Sequence, residues 1–181
     1  MRKIMAWAPS AGAAALAVGI LLGSGAAARA DCFSACIAAD PVVSQDHFKM
    51  ADGVRACRDM CTSEALDGLR KAGLYEAYAA CTPRPLTRDE FRAVRAASAS
   101  WRQQLNIFTW EVRNIFPDKL LTGIEVATQD LNLSTVSVTA ASVIPPDSTG
   151  TFVVPDFFDG YPAVRYATKV ATITACDLPK P

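Results

Sequence analysis

Hydrophobic and polar positions follow two different periods along this chain, and the change falls near residue 85. From Ser44 to Gly73, His47, Met50, Val54, Cys57, Cys61 and Ala65 recur at steps of three and four, which predicts one stripe of an amphipathic helix. Ser44 or Asp46 is placed to cap its start. Gly73 follows Arg70 and Lys71 as a stop signal. A shorter helical piece follows with Leu74, Tyr78 and Cys81 on one side, and Pro83 and Pro85 in "CTPRPLT" end it.

Beyond residue 100 the period becomes two. "NIFTWEVRN" sets Phe108, Trp110 and Val112 against Ile107, Thr109 and Glu111. "TGIEVAT" alternates Ile124 and Val126 with Glu125, and "STVSVTA" sets Val136 and Val138 against Thr135, Ser137 and Thr139. "TGTFVV" reads as a short strand and "AVRYATKVATITAC" as a long one. Pro- and Gly-containing turns separate these runs, so the expected arrangement is a small antiparallel sandwich and not a set of βαβ units. Residues 87–101 carry two readings. "TRDE" is a capping box that opens a helix, whereas "FRAVRAASASW" also fits a first strand; a helical turn followed by a strand is the reading adopted.

The first thirty residues stand apart from both patterns. A basic start at Arg2 and Lys3, the apolar run "AGAAALAVGILL" and a small-residue site before Asp31 are the order of a secretory signal peptide. The run is short for a membrane span, and Arg29, Ala30 and Asp31 before Cys32 make no lipobox. The expected mature chain starts at Asp31 and is periplasmic or secreted, with no membrane span. Removing Arg2, Lys3 and Arg29 from the 18 basic residues leaves 15 against 18 acidic ones, a net charge of −3. That balance offers no electrostatic attraction for nucleic acid.

All six cysteines follow residue 30, and an even number in an exported chain reads first as three disulfides. "CFSAC" and "CRDMC" repeat one spacing. Haem attachment is excluded because Ile37 and Thr62, not histidines, follow Cys36 and Cys61. An alternative reading takes His47, Met50, Cys57 and Cys61 as a soft-ligand stripe suited to copper, or the cysteine pairs as a thiol redox site. The simpler reading of that stripe is a helix face turned to its core. With His47 as the only histidine and no G-x-S-x-G elbow, hydrolase chemistry has little to build on. Asp156 and Asp159 in "PDFFDGYP" read as turn residues bonding their own backbone. Phe157, Phe158 and Tyr161 in the same stretch are candidate interface anchors, or rings folded over the open end of the sandwich. No cofactor and no catalytic residue are expected.

Two resemblances sharpen the fold. "WEVRNIFPDKLLTGIEVAT" and "ASVIPPDSTGTFVV" resemble bacterial immunoglobulin-like accessory modules of the FxLYD type, through Val112 to Asn114, Gly123 to Val126 and Ile144 to Phe152. That resemblance implies a sandwich that binds without catalysing. The paired C-x-x-x-C motifs resemble α-hairpinins and other disulfide-clamped helix hairpins. The resemblance implies nested pairing on antiparallel helices, Cys32 with Cys61 and Cys36 with Cys57, which leaves Cys81 for Cys176. Cysteines four apart share a helix face, so the spacing is compatible with it. The expected fold class is α+β: a cysteine-clamped helical hairpin over 31–85, then an immunoglobulin-like antiparallel β-sandwich over 86–181. The expected role is that of an exported, non-enzymatic accessory or binding protein with another envelope or secreted protein as partner. The alternatives are metal or thiol redox chemistry, or an inhibitor-like hairpin carried on a sandwich.

Overall fold

A computed structural model describes residues 31–39, 47–104, 106–130, 132–155, 157 and 166–179. Helices come first. α1 spans Cys32–Ala39 and α2 spans His47–Lys71. Asp31 caps α1, its Oδ1 accepting from the Ser34 N–H at 2.9 Å while its carbonyl accepts from Ala35 at 3.0 Å. At eight residues α1 is too short to hold its shape alone. Disulfides Cys32–Cys61 and Cys36–Cys57 fasten it to α2 in nested order.

The end of α2 follows from local chemistry. Gly73 takes φ +71°, where a side chain is disfavoured. Its N–H donates to the Arg70 carbonyl at 3.1 Å and the Leu74 N–H donates to Leu69 at 2.9 Å, the two bonds of a Schellman stop. Leu74 packs beside the buried Leu69, the apolar contact that accompanies such a stop. α3 (Tyr75–Ala79) follows, and Cys81 beyond it is bonded to Cys176.

β1 is only Arg84–Pro85, a feature the two prolines had hidden as a simple break. α4 spans Arg88–Ala97, longer than the helical turn expected, and opens on a complete capping box between Thr87 and Glu90. The strands then follow as β2 (Arg102–Gln104), β3 (Ile107–Arg113), β4 (Lys119–Gln129), β5 (Thr135–Ile144), β6 (Thr149–Val154) and β7 (Tyr166–Asp177). They form two antiparallel sheets among the described residues, ordered β1-β7-β4-β5 and β2-β3-β6.

β3 buries Phe108, Trp110 and Val112 and turns Glu111 out, as a period of two requires. β4 departs from strict alternation. Register shifts against β5 and β7 let it bury Leu120 on one side and Leu121, Ile124 and Val126 on the other. The main core joins both sheets to α4 through Val94, Phe108, Trp110, Ile124, Phe152, Phe157 and Ile173. Each such side chain, once fully buried, contributes roughly 1.5–3 kcal/mol.

α2 spans two smaller cores. Its first half, with Phe33 of α1, packs Val54 and Cys57 against Val153 of β6. Its second half packs Leu69 against Leu120, Val143, Cys176 and Leu178. The helix therefore lies across the corner where the chain leaves one sheet at Ile144 and enters the other at Thr149. No helix among the described residues is long and apolar enough to cross a membrane.

Candidate functional site

The corner under α2 holds a cleft of about 310 Å3, bounded by α1, α2 and the β5–β6 turn. Phe33, Ala65, Val143 and Pro145 supply apolar wall, and the Cys32–Cys61 disulfide lies beside them. Asp31, only 5% exposed, is pinned twice. Besides capping α1, its Oδ2 accepts a hydrogen bond from the Thr151 hydroxyl of β6, which fixes the helix start to the sheet. Arg58 reaches the cleft but is engaged with Asp59, its Nε donating at 2.9 Å. The exposed Glu64 carboxylate lies 3.4 Å from the Cys32 sulfur, which as a half-cystine has no proton to donate. The charged groups lining the cleft are thus Asp31, Glu64 and Arg58, and among the described residues Glu64 is the exposed one without a hydrogen-bonded partner of opposite charge.

Gly68 sits on the same wall. A Cβ built there meets nothing within 4 Å, so the glycine is required neither by the packing of α2 nor by a positive φ. Its effect is to leave the mouth of the cleft open. Sequence reading passed over Gly68, although a glycine inside a long helix is costly enough to mark a position for attention.

A second polar constellation lies toward the β1 edge of the four-stranded sheet. Arg84 grips Asp177 with Nε at 2.7 Å and a second nitrogen at 2.9 Å. Lys119 donates to Asp177 at 2.5 Å and lies 3.4 Å from Glu90. The Arg84 hydrogen bonds, joined by Lys119, hold the Asp177 carboxyl down to about 2. The Asp177 hydrogen bond raises Lys119 in turn. Burial works against ionisation of Glu90, but the Thr87 backbone and hydroxyl and the Lys119 charge outweigh it and lower that carboxyl. Every member is matched by an opposite charge, so the cluster ties β1, α4, β4 and β7 together and presents no free reactive group.

The residues singled out from sequence fall in separate places. Cys57 and Cys61 are consumed in disulfides, and Cys81 and Cys176 form the third. The described residues contain no free cysteine, so the proposed copper stripe loses both of its thiolates. Val54 and Cys57 face a core and Met50 packs against it, as a helix face turned inward would. The side chain of His47 lies outside the described residues, as do Phe158, Tyr161, Asp156 and Asp159.

Of the two readings of Phe157, an interface anchor or a ring folded inward, the structure shows the inward one. The residue is 0% exposed, its ring lies 5.5 Å from that of Phe108, and its N–H donates to the Asn106 carbonyl at 2.8 Å. The backbone bond turns the chain inward after β6, so this ring fills the main core.

Asn114 was legible only as part of a strand-end motif, yet it is the most heavily bonded buried polar side chain described. It is 0% exposed, and its Nδ2 donates to the carbonyls of Lys119 at 2.8 Å, Ile144 at 3.1 Å and Pro145 at 2.9 Å. Its Oδ1 accepts from the Phe116 N–H at 3.1 Å. One side chain thus joins the end of β3, the start of β4 and the turn that roofs the cleft. Among the described residues, no buried side-chain nitrogen or oxygen lacks a partner. No protein-family model, curated protein or solved structure matches this chain.

Three disulfides are the signature of a chain folded in an oxidising, extracytoplasmic environment. The geometry adds a partly apolar cleft whose walls come from cross-linked helices and a pinned turn.

Proposed function

We propose that this protein is an exported, non-enzymatic binding protein of the cell envelope or secreted space, acting through protein contacts. The single observation that carries this reading is the cleft of about 310 Å3 between the clamped helices and the β5–β6 turn. Rigid walls favour binding because little conformational freedom is lost when a partner docks. The exposed Glu64 carboxylate beside apolar wall suits a partner segment that presents a basic side chain next to an aliphatic one. The two antiparallel sheets and their shared core support an immunoglobulin-like sandwich as the scaffold, and the leader pattern supports export by a signal peptide. The oxidised cysteines weigh against the copper and thiol redox alternative.

Affinity capture from the exported fraction tests the reading. The wild-type protein is expected to retain a partner protein, Gly68→Arg to lose it by filling the cleft mouth, and Glu64→Gln to weaken it. Recovery of no partner, combined with saturable binding of a small ligand, refutes the proposal. Two or more free thiols in the unreduced protein would sink the three-bridge reading and reopen redox chemistry.

A further inference from the structure

The edges of the two sheets are not equally protected. β1, at one edge of the four-stranded sheet, is two residues long, and one of them is a proline with no N–H to offer. β2, at one edge of the other sheet, is three residues long and starts on Arg102. β6, at the opposite edge, is overlaid by α1 through Phe33 against Val153 and through the Asp31–Thr151 bond. The first half of β5 has none of these defences, whereas its second half is overlaid by α2 through Leu69 against Val143. The strand is ten residues long, contains no charge, proline or glycine, and is paired on one side only, to β4. Among the described residues, no backbone hydrogen bond outside the β4 ladder involves residues 135–143.

The first half of that edge is also symmetric. Thr135-Val136-Ser137-Val138-Thr139 reads the same in both directions, and Thr135, Ser137 and Thr139 are exposed while the two valines are half-buried. A twofold axis at Ser137 sets Thr135 opposite Thr139 of a second chain, Val136 opposite Val138, and Ser137 opposite itself. Hydroxyls then meet hydroxyls on the outer face and valines meet valines on the inner one, the pairings that stabilise neighbouring antiparallel strands. The symmetry suits an isologous interface, where one patch serves both partners. The register holds whichever alternate set of backbone groups faces outward, because an axis through a residue is compatible with both kinds of antiparallel pair.

We infer that the Thr135–Thr139 edge of β5 is a self-association surface, at which a second copy of this chain pairs antiparallel about Ser137. The four-stranded sheet then continues across the axis into its twin. Five paired residues span about 17 Å, and such a strip covers much less than the roughly 800 Å2 per partner of a tight complex. The dimer is accordingly weak and depends on concentration.

Sedimentation equilibrium of the oxidised protein made from the full-length chain tests this, run from low-micromolar to near-millimolar concentration. The wild type is expected to shift from monomer to dimer. Ser137→Lys sets two like charges across the axis and is expected to weaken the dimer by about tenfold or more. Thr135→Lys with Thr139→Lys is expected to do the same. Thr135→Lys with Thr139→Glu creates two cross-axis ion pairs and is expected to dimerise at least as well as the wild type. All these positions are exposed, and thermal melts verify that each variant is folded. Hydrogen exchange on the unaltered protein gives a second readout, the amides of residues 135–139 slowing as concentration rises. A wild type that stays monomeric throughout overturns the inference. So does a dimer indifferent to Ser137→Lys, or a folded charge-swapped variant that fails to pair.

Discussion

Replacing Asn114 tests the central claim that one buried amide holds the cleft-roofing turn to the sheets. Its two Nδ2 hydrogens serve three carbonyls and its Oδ1 accepts one N–H, so about three full hydrogen bonds are lost in Asn114→Ala. At about 1 kcal/mol net each, the loss is about 3 kcal/mol. The Ile144 carbonyl lies in a buried bond, where water does not easily replace the amide. For a chain of this size that corresponds to a fall in melting temperature of about 6–12 °C. Asn114→Asp is nearly the same shape but points a carboxylate at three carbonyl oxygens from a fully buried position, so it is expected to cost more than alanine. Urea unfolding at neutral pH with the disulfides intact measures both. An Asp variant as stable as the Ala variant, or an Ala variant within 1 kcal/mol of wild type, refutes the reasoning.

Three further outcomes are expected. Phe157→Ala should destabilise by about 3–5 kcal/mol, the usual range for a buried ring, in the same urea assay; an exposed contact residue would cost almost nothing. Stability should decline on the acid side as Asp177 protonates. Its folded value is depressed to about 2 from 3.8, so its contribution is complete above pH 4 and fades as pH falls toward 2. Asp177→Asn should flatten that limb, although a side chain 52% exposed is screened enough to keep the effect modest. Removing the Cys81–Cys176 bridge, which spans 95 residues, should cost about 4.7 kcal/mol by loop entropy, and removing Cys36–Cys57 should cost clearly less, because it spans 21 and the Cys32–Cys61 bridge already closes the chain around it; matched double-alanine variants compare them by thermal melting.

The features legible in the sequence were those written in local chemistry. The α2 stripe, the Gly73 stop and the Thr87 capping box each lie within a few residues, and each appears where the pattern put it. The alternation in β3 survives because that strand has one face to the core and one away from it. What stayed hidden depends on partners far along the chain. β1 exists because Arg84 and Pro85 meet Ala175 and Thr174, ninety positions later, and no propensity announces that. β4 is covered on both sides near Leu120, so its burial no longer alternates. Phe157 stayed open between anchor and inward-folded ring because its neighbours are turn residues, while its observed packing on Phe108 and its backbone bond to Asn106 join it to a distant part of the chain. The cleft joins residues from Asp31 to Thr151, so only its cysteines could be singled out in advance.

The nested clamp has a consequence for how the chain matures. Cys32, Cys36, Cys57 and Cys61 emerge in that order, and an oxidase acting on thiols as they appear would join Cys32 to Cys36 before Cys57 is available. Each native bond instead links an early cysteine to a late one. Cys176 emerges last of all, after every strand it must sit beside. Productive oxidation therefore requires either that the early thiols wait or that a wrong bond be reshuffled by thiol–disulfide exchange. The yield of this protein in a cell should depend on disulfide isomerase activity more than on oxidase activity.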